Sequence, residues 1–113
     1  MAAPHDRPTM AELVEAVREF LERDVFEATE GRVQFHTRVA INVLNMVERE
    51  LALGGAQAVA HHARLEALGF EDDAALAAAI RSGQLDARWR EVLESLAESV
   101  RDKLAVANPK YLE

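Results

Sequence analysis

The sequence has no cysteine, only five glycines and three prolines, and aromatic residues at 5% of its 113 positions. Without cysteine, the protein cannot contain a disulfide bond, a thiol nucleophile or a thiolate metal site. Few β-branched stretches alternate with the period of two that is typical of strands. Alanine, the residue that favours helices most, is abundant instead. We therefore predict an all-α fold.

The sequence also has few basic residues, with 13 Lys and Arg against 20 Asp and Glu and a net charge of −7. Nucleic acids and anionic membranes both attract clusters of Lys and Arg, so we expect neither as a partner. The longest apolar run, residues 74–80, is much shorter than the roughly 18 residues of a membrane helix. The first eight residues lack the apolar stretch of a secretory signal, and we expect a cytoplasmic protein.

Apolar residues recur at helical spacing in three long and two short segments, which predicts a small helical bundle. The first helix begins after Thr9, which can form a capping box with Glu12. The predicted limits that follow are Gly31, Gly54-Gly55, Leu68, Asp72 or Asp73, Gly83, Asp86 and Asn108-Pro109. We predict one helical domain over residues 1–113, with an N-terminal extension at 1–8 and a C-terminal tail at 109–113.

The motifs of most enzyme classes are missing. There is no glycine-rich phosphate loop, no serine in a nucleophile elbow and no Glu-x-x-His pair of a di-iron bundle. His61 and His62 are adjacent, and on a helix they point about 100° apart. His62 and Glu66 have a spacing that suits one metal ion, but two ligands do not make a site. We expect no metal, no cofactor and no catalytic residue set.

Three ionisable residues fall within apolar arcs of the predicted helices. They are Asp24 in the first helix, His36 in the second and Lys103 in the fifth. Burial of an unpaired charge is costly, and Asp24 and His36 lie at similar distances from the turn at Gly31. We therefore expect a buried Asp24–His36 pair, with Lys103 as a third member. Such a cluster is either a structural polar contact or a pocket with a tuned acid–base pair.

Two further surfaces are candidate contact sites. Arg38, Asn42, Asn45 and Arg49 fall within about 60° on the second helix. This polar strip is either solvated or a contact for an acidic protein surface or a ligand phosphate. Apolar residues on otherwise polar faces indicate contact with a second copy or another protein. These residues are Phe26, Leu65, Leu68, Tyr111 and Leu112.

Three stretches together resemble a family of small bacterial proteins with a domain of unknown function. They are residues 4–13, residues 31–51 around His36 and Arg38-Val39-Ala40, and Asp102-Lys103-Leu104 with Asn108-Pro109-Lys110-Tyr111. Such proteins are typically encoded beside acyl-CoA dehydrogenases and beside kinases similar to aminoglycoside phosphotransferases. The resemblance implies an accessory subunit that such a kinase needs to phosphorylate a hydroxyacyl-CoA, as in levulinate-type 4-hydroxy acid breakdown. The matched polar positions His36, Arg38, Asp102, Lys103, Asn108 and Tyr111 become candidate contact residues.

Three functions are therefore open. The first is a non-catalytic accessory subunit of a phosphotransferase-like kinase, which either stabilises or completes that enzyme. The second is a small module that binds an acyl-CoA or another ligand in a pocket lined by Asp24, His36 and Lys103. The third is a small enzyme that uses Asp24 and His36 as an acid–base pair. A homodimer is compatible with each of them.

Overall fold

A computed structural model describes residues 4–113, and within that range it contains four α-helices and no strand. The helices are α1 (Met10–Phe20), α2 (Gly31–Leu68), α3 (Asp73–Arg81) and α4 (Trp89–Ala107). Two 3₁₀ turns, Asp86–Arg88 and Pro109–Leu112, precede and follow α4. The all-α prediction is confirmed. No helix within this range combines the length and the apolar character needed to span a bilayer.

The start of α1 is the capping box that the sequence predicts. The Thr9 hydroxyl accepts a hydrogen bond from the Glu12 backbone N–H at 3.0 Å. The Glu12 carboxylate in return accepts from the Thr9 backbone N–H at 2.9 Å. After Phe20 the chain continues through a π-helical turn, Leu21–Val25, and ends its helical path at Phe26–Ala28. The N-terminal helix is therefore anchored at its first turn and distorted near its last.

The predicted break at Gly54-Gly55 is wrong, because α2 runs without interruption from Gly31 to Leu68. Glycine in a helix costs about 1 kcal/mol relative to alanine, but it does not prevent helical dihedral angles. The glycines with positive φ are Gly31, Gly69 and Gly83, which lie at helix boundaries. The predicted second and third helices are thus one.

The other boundaries agree with the sequence with one exception. The Asp72 carboxylate caps α3 by accepting from the Ala75 backbone N–H at 2.8 Å, and Gly83 follows the helix end with φ 82°. Asp86 does not cap the last helix. It begins a 3₁₀ turn instead, and α4 starts three residues later at Trp89. The end of α4 at Asn108 is as predicted.

The chain divides into two compact units, Met1–Leu53 and Gly54–Glu113. The second, called here the C-terminal unit, contains the buried apolar core. Its members are Leu65, Leu68, Leu76, Ala79, Leu85 and Val92, with Phe70, Ile80 and Leu96 packed against them. Val92 is 0% exposed. The expected exposure of Leu65 and Leu68 is therefore wrong, since both lie in this core.

The first unit, called here the N-terminal hairpin, consists of α1 and the first half of α2. Its turn is held by Gln34, whose side-chain amide donates to the carbonyls of Phe26 at 3.0 Å and Thr29 at 2.9 Å. Arg18 of α1 forms an ion pair with Glu48 of α2, which fixes the two helices side by side. Within residues 4–53, Thr37 is the one buried residue. The hairpin therefore has no apolar core of its own.

Candidate functional site

The main feature of the N-terminal hairpin is a set of exposed large apolar side chains, called here the hairpin face. Each of them is between 38% and 67% exposed. Four lie on α1 and seven on α2: Met10, Leu13, Val17, Phe20, Val33, Phe35, Val39, Val43, Met46, Val47 and Leu51. Single exposed apolar residues are ordinary, whereas a group of this size makes the hairpin face the candidate site for contact with another molecule.

These side chains lie on one side of the hairpin. The seam between the helices is formed by half-buried Val14 on α1, half-buried Leu21 in the π-helical turn, and buried Thr37 and half-buried Leu44 on α2. On a helical wheel with about 100° per residue, the exposed apolar arc of α1 is rotated away from the α1 seam. The exposed apolar arc of α2 is rotated away from the α2 seam in the same sense. Two neighbouring antiparallel helices are related by a local twofold axis perpendicular to both. Equal rotations from the seam therefore place both apolar arcs on the same surface of the hairpin. The hairpin face is thus two helices wide.

A groove opens on the hairpin face where α1 meets the first turns of α2. It has a volume of about 290 Å³ and is lined by Leu21, Arg32, Val33, His36, Thr37 and Ala40. The lining side chains of Arg32 and His36 are exposed, so the groove has an apolar floor and a basic or titratable rim.

The expected buried cluster of Asp24, His36 and Lys103 is wrong, since all three side chains are exposed. Asp24 falls in the π-helical turn, where the wider winding rotates side chains away from the positions of a regular helical wheel. His36 does lie in the apolar arc of α2, beside Phe35 with ring centroids 5.3 Å apart, but that arc faces outward. Lys103 lies on an exposed position near the end of α4.

The polar strip of α2 is partly engaged within the hairpin. Arg38 lies over the ring of Phe26, with 4.9 Å from the guanidinium carbon to the ring centroid. Phe26 is therefore half-buried, contrary to the expected exposure. Asn42 is exposed, whereas Asn45 and Arg49 are half-buried. Asn45 and Arg49 lie on the side of α2 away from the hairpin face, whereas Asn42 borders the face, seven residues after Phe35 and four before Met46.

A polar network that sequence reasoning missed joins three helices of the C-terminal unit. His61 on α2 has its Nδ1 atom 2.8 Å from the Ser99 hydroxyl of α4 and its Nε2 atom 2.8 Å from the Asp73 carboxylate of α3. Arg64 donates to the Ser99 hydroxyl at 3.1 Å and to the Asp102 carboxylate at 3.0 Å. The sequence signal was the group of polar residues on the inner side of α2 after Gln57.

Serine, histidine and aspartate in hydrogen-bond reach are also the elements of a hydrolytic triad. In this network, however, the Asp73 side chain is 74% exposed, and the Ser99 hydroxyl already accepts from Arg64. Water therefore screens the carboxylate, and the hydroxyl is held in a contact between helices. The arrangement joins α2, α3 and α4, and Asp102 takes part as a structural residue through Arg64.

The C-terminal candidates lie at the end of α4. Asn108 ends the helix, and its backbone N–H donates to the Leu104 carbonyl at 2.8 Å. Tyr111 follows in the 3₁₀ turn with 75% of its surface exposed, and Leu112 is also exposed. The expected exposure of this tail is confirmed. His62 pairs with Glu66 at 2.9 Å along α2, and no group of three metal-ligating side chains occurs within residues 4–113.

In a comparison with protein families, residues 27–111 match the domain of unknown function DUF6285. This is about three quarters of the chain. The protein belongs to the DUF6285 family. No curated protein and no solved structure matches it.

The DUF6285 match divides the hairpin face. The seven α2 members, from Val33 to Leu51, lie inside the matched range together with residues 54–111 of the C-terminal unit. The α1 members, from Met10 to Phe20, precede it. The groove has five of its six lining residues within the DUF6285 range, and Leu21 lies outside it. The part of the face on α2 is therefore the part that belongs to the family domain.

Proposed function

We propose that this DUF6285 protein is a non-catalytic accessory subunit that acts by binding another protein through the hairpin face. The observation that carries the proposal is the exposure of eleven large apolar side chains on a hairpin without a core. Covering the exposed half of such a side chain stabilises a complex by roughly 1 kcal/mol. The face therefore offers enough apolar contact for a specific complex, after the cost of association is subtracted.

The chemistry of the described residues supports a binding role over a catalytic one. An acid–base mechanism requires Asp24 and His36 in a common, partly water-excluded site. Both side chains are exposed, and the groove beside His36 is lined without Asp24. The His61 network uses its polar atoms to join helices. A protein contact needs none of these groups to be activated.

We further propose that the partner is a phosphotransferase-like kinase that acts on hydroxyacyl-CoA substrates. This part follows from the resemblance of the three stretches described above, and membership of DUF6285 is compatible with it. The kinase would supply the nucleotide site and the phosphoryl-transfer chemistry. The present chain would cover an apolar surface of the kinase and thereby either stabilise it or complete its active conformation.

The proposal is tested by mixing the protein with the phosphotransferase-like kinase encoded beside it. Size-exclusion chromatography reports a complex, and ATP-dependent phosphorylation of a 4-hydroxyacyl-CoA is assayed with and without the small protein. We expect co-elution and a gain of kinase activity. Val43→Glu places a charge in the hairpin face and should weaken the complex at least tenfold, because an unpaired charge would be buried there.

Asn45→Glu is the matched control, since it adds the same charge two residues away, about 160° around α2 from Val43. We expect this variant to bind and activate like the original protein. Loss of binding by Asn45→Glu but not by Val43→Glu would assign the contact to the polar strip. Separate elution and unchanged activity of the original protein would refute the kinase proposal.

A further inference from the structure

The charges along α2 indicate what covers the hairpin face when no other partner is present. Arg32 and Glu50 are eighteen residues apart, which is five full turns, so both lie on one line of the helix, about 27 Å from each other. Val39 and Val43 lie close to the same line, near its middle. Both charged side chains are exposed, and within residues 4–113 neither forms an ion pair. The line has a positive end, an apolar middle and a negative end.

The charge pattern along this line is complementary to that of a second copy of the helix in the antiparallel direction. We propose that the free protein forms a homodimer in which α2 of one protomer packs antiparallel on α2 of its partner. The twofold axis would pass near residue 41. Arg32 of each protomer would then lie beside Glu50 of the other, and Val39 would lie beside Val43. A parallel pairing would instead bring Arg32 to Arg32 and Glu50 to Glu50.

The area of the face agrees with a dimer of modest strength. The seven α2 members are each about half exposed, and at roughly 75 Å² each they supply on the order of 500 Å² per protomer. The total of about 1,000 Å² is at the lower limit of specific interfaces, which predicts a dissociation constant in the micromolar range. Two paired charges at the rim fix the direction of the helices more than they add affinity.

This inference deepens the proposed function, because it uses the same face. The antiparallel pairing uses α2 alone, so the α1 members of the hairpin face, from Met10 to Phe20, stay uncovered. A kinase that covers both helices would bury more apolar surface than the second copy does. The homodimer is then the form of the protein before the kinase binds. The kinase replaces one protomer on the hairpin face of the other.

The dimer is tested on the full chain alone, without a kinase, so its failure is distinguishable from failure of the proposed function. Sedimentation equilibrium at low salt is measured from about 1 µM to about 500 µM protein. We expect the mass to rise from 12.5 kDa toward twice that value. Arg32→Glu or Glu50→Arg alone should weaken the dimer about tenfold, because each places like charges together twice.

The mixture of the two single variants is the decisive sample. In that heterodimer both rim contacts again join opposite charges, so we expect the affinity of the original protein to return. The double variant Arg32→Glu/Glu50→Arg should dimerise normally for the same reason. A protein that stays monomeric at every concentration would overturn the inference. If the single variants dimerise as tightly as the original protein, or if mixing them does not restore the original affinity, the antiparallel arrangement is wrong.

Discussion

The two units of the chain use similar amphipathic helices with opposite results. In the C-terminal unit, the end of α2 and the shorter helices α3 and α4 enclose Val92 and its neighbours on all sides. In the N-terminal hairpin, two helices meet along one seam and leave the rest of their apolar surface exposed. A layer of two helices cannot cover both of its sides, which leaves the hairpin face open for the contact proposed above.

The largest expected difference between the units concerns truncation of their apolar side chains. Leu68→Ala removes a core residue of the C-terminal unit and should lower the free energy of unfolding by about 2–5 kcal/mol. Val43→Ala on the hairpin face should cost less than about 0.5 kcal/mol in dilute protein, because Val43 is already half exposed. Urea denaturation of both variants measures the two values.

Repeating these denaturations at several protein concentrations sharpens the comparison. The cost of Leu68→Ala should not depend on concentration, since this core lies within one chain. The cost of Val43→Ala should grow with concentration if a second copy covers the face. Equal and concentration-independent costs for the two variants would contradict the exposure of the hairpin face.

A smaller difference is expected for two arginines that form similar contacts in the two units. Arg64 is 17% exposed and bonds Ser99 and Asp102 of α4, whereas Arg18 is 20% exposed and bonds Glu48 of α2 and Glu22 of its own helix. Arg64→Ala should cost about 2 kcal/mol, because the Ser99 and Asp102 side chains lose their shared donor. Arg18→Ala should cost about 1 kcal/mol, since Glu48 can turn toward water.

Thermal unfolding of the two arginine variants, each beside its lysine counterpart, checks this order. Lysine keeps the charge but cannot bond two acceptors in a fixed geometry. We therefore expect Arg64→Lys to recover little stability and Arg18→Lys to recover most of it. A larger loss for Arg18→Ala than for Arg64→Ala would mean that the seam of the hairpin depends on this ion pair more than the C-terminal unit depends on its network.

The sequence predicts the helices better than it predicts what the helices bury. The capping box at Thr9, the cap at Asp72 and the helix end at Asn108 were recognisable because each depends on a few neighbouring residues. The break at Gly54-Gly55 was not, because glycine permits a turn without requiring one. Only backbone geometry shows that both glycines stay in the helix.

Burial was misjudged in both directions for one physical reason. An apolar arc on a helical wheel shows which side avoids water, but it does not show which element covers that side. His36 therefore lies in an apolar arc and is exposed, while Leu65 lies on a helix face that was expected to be polar and exposed, and is buried. The His61–Ser99–Asp73 contacts join three helices, and the polar residues of one helix do not show which residues of the other helices they meet.

The smallest expected effect concerns the first turn of the hairpin. The Thr9 backbone N–H, followed by the Thr9 hydroxyl, lowers the pKa of Glu12 from its ordinary value of 4.5. A carboxylate whose pKa is lower in the folded state stabilises that state above its unfolded pKa, and the contribution is lost as the pH falls through the folded value. Acidification below about pH 4.5 should therefore loosen the start of α1.

Glu12→Gln can keep the capping contacts without a titrating group. Far-UV circular dichroism should therefore show less loss of helix on acidification for this variant than for the control Glu15→Gln. If the two variants lose helix in parallel, the first turn of α1 is held by something other than the Glu12 carboxylate.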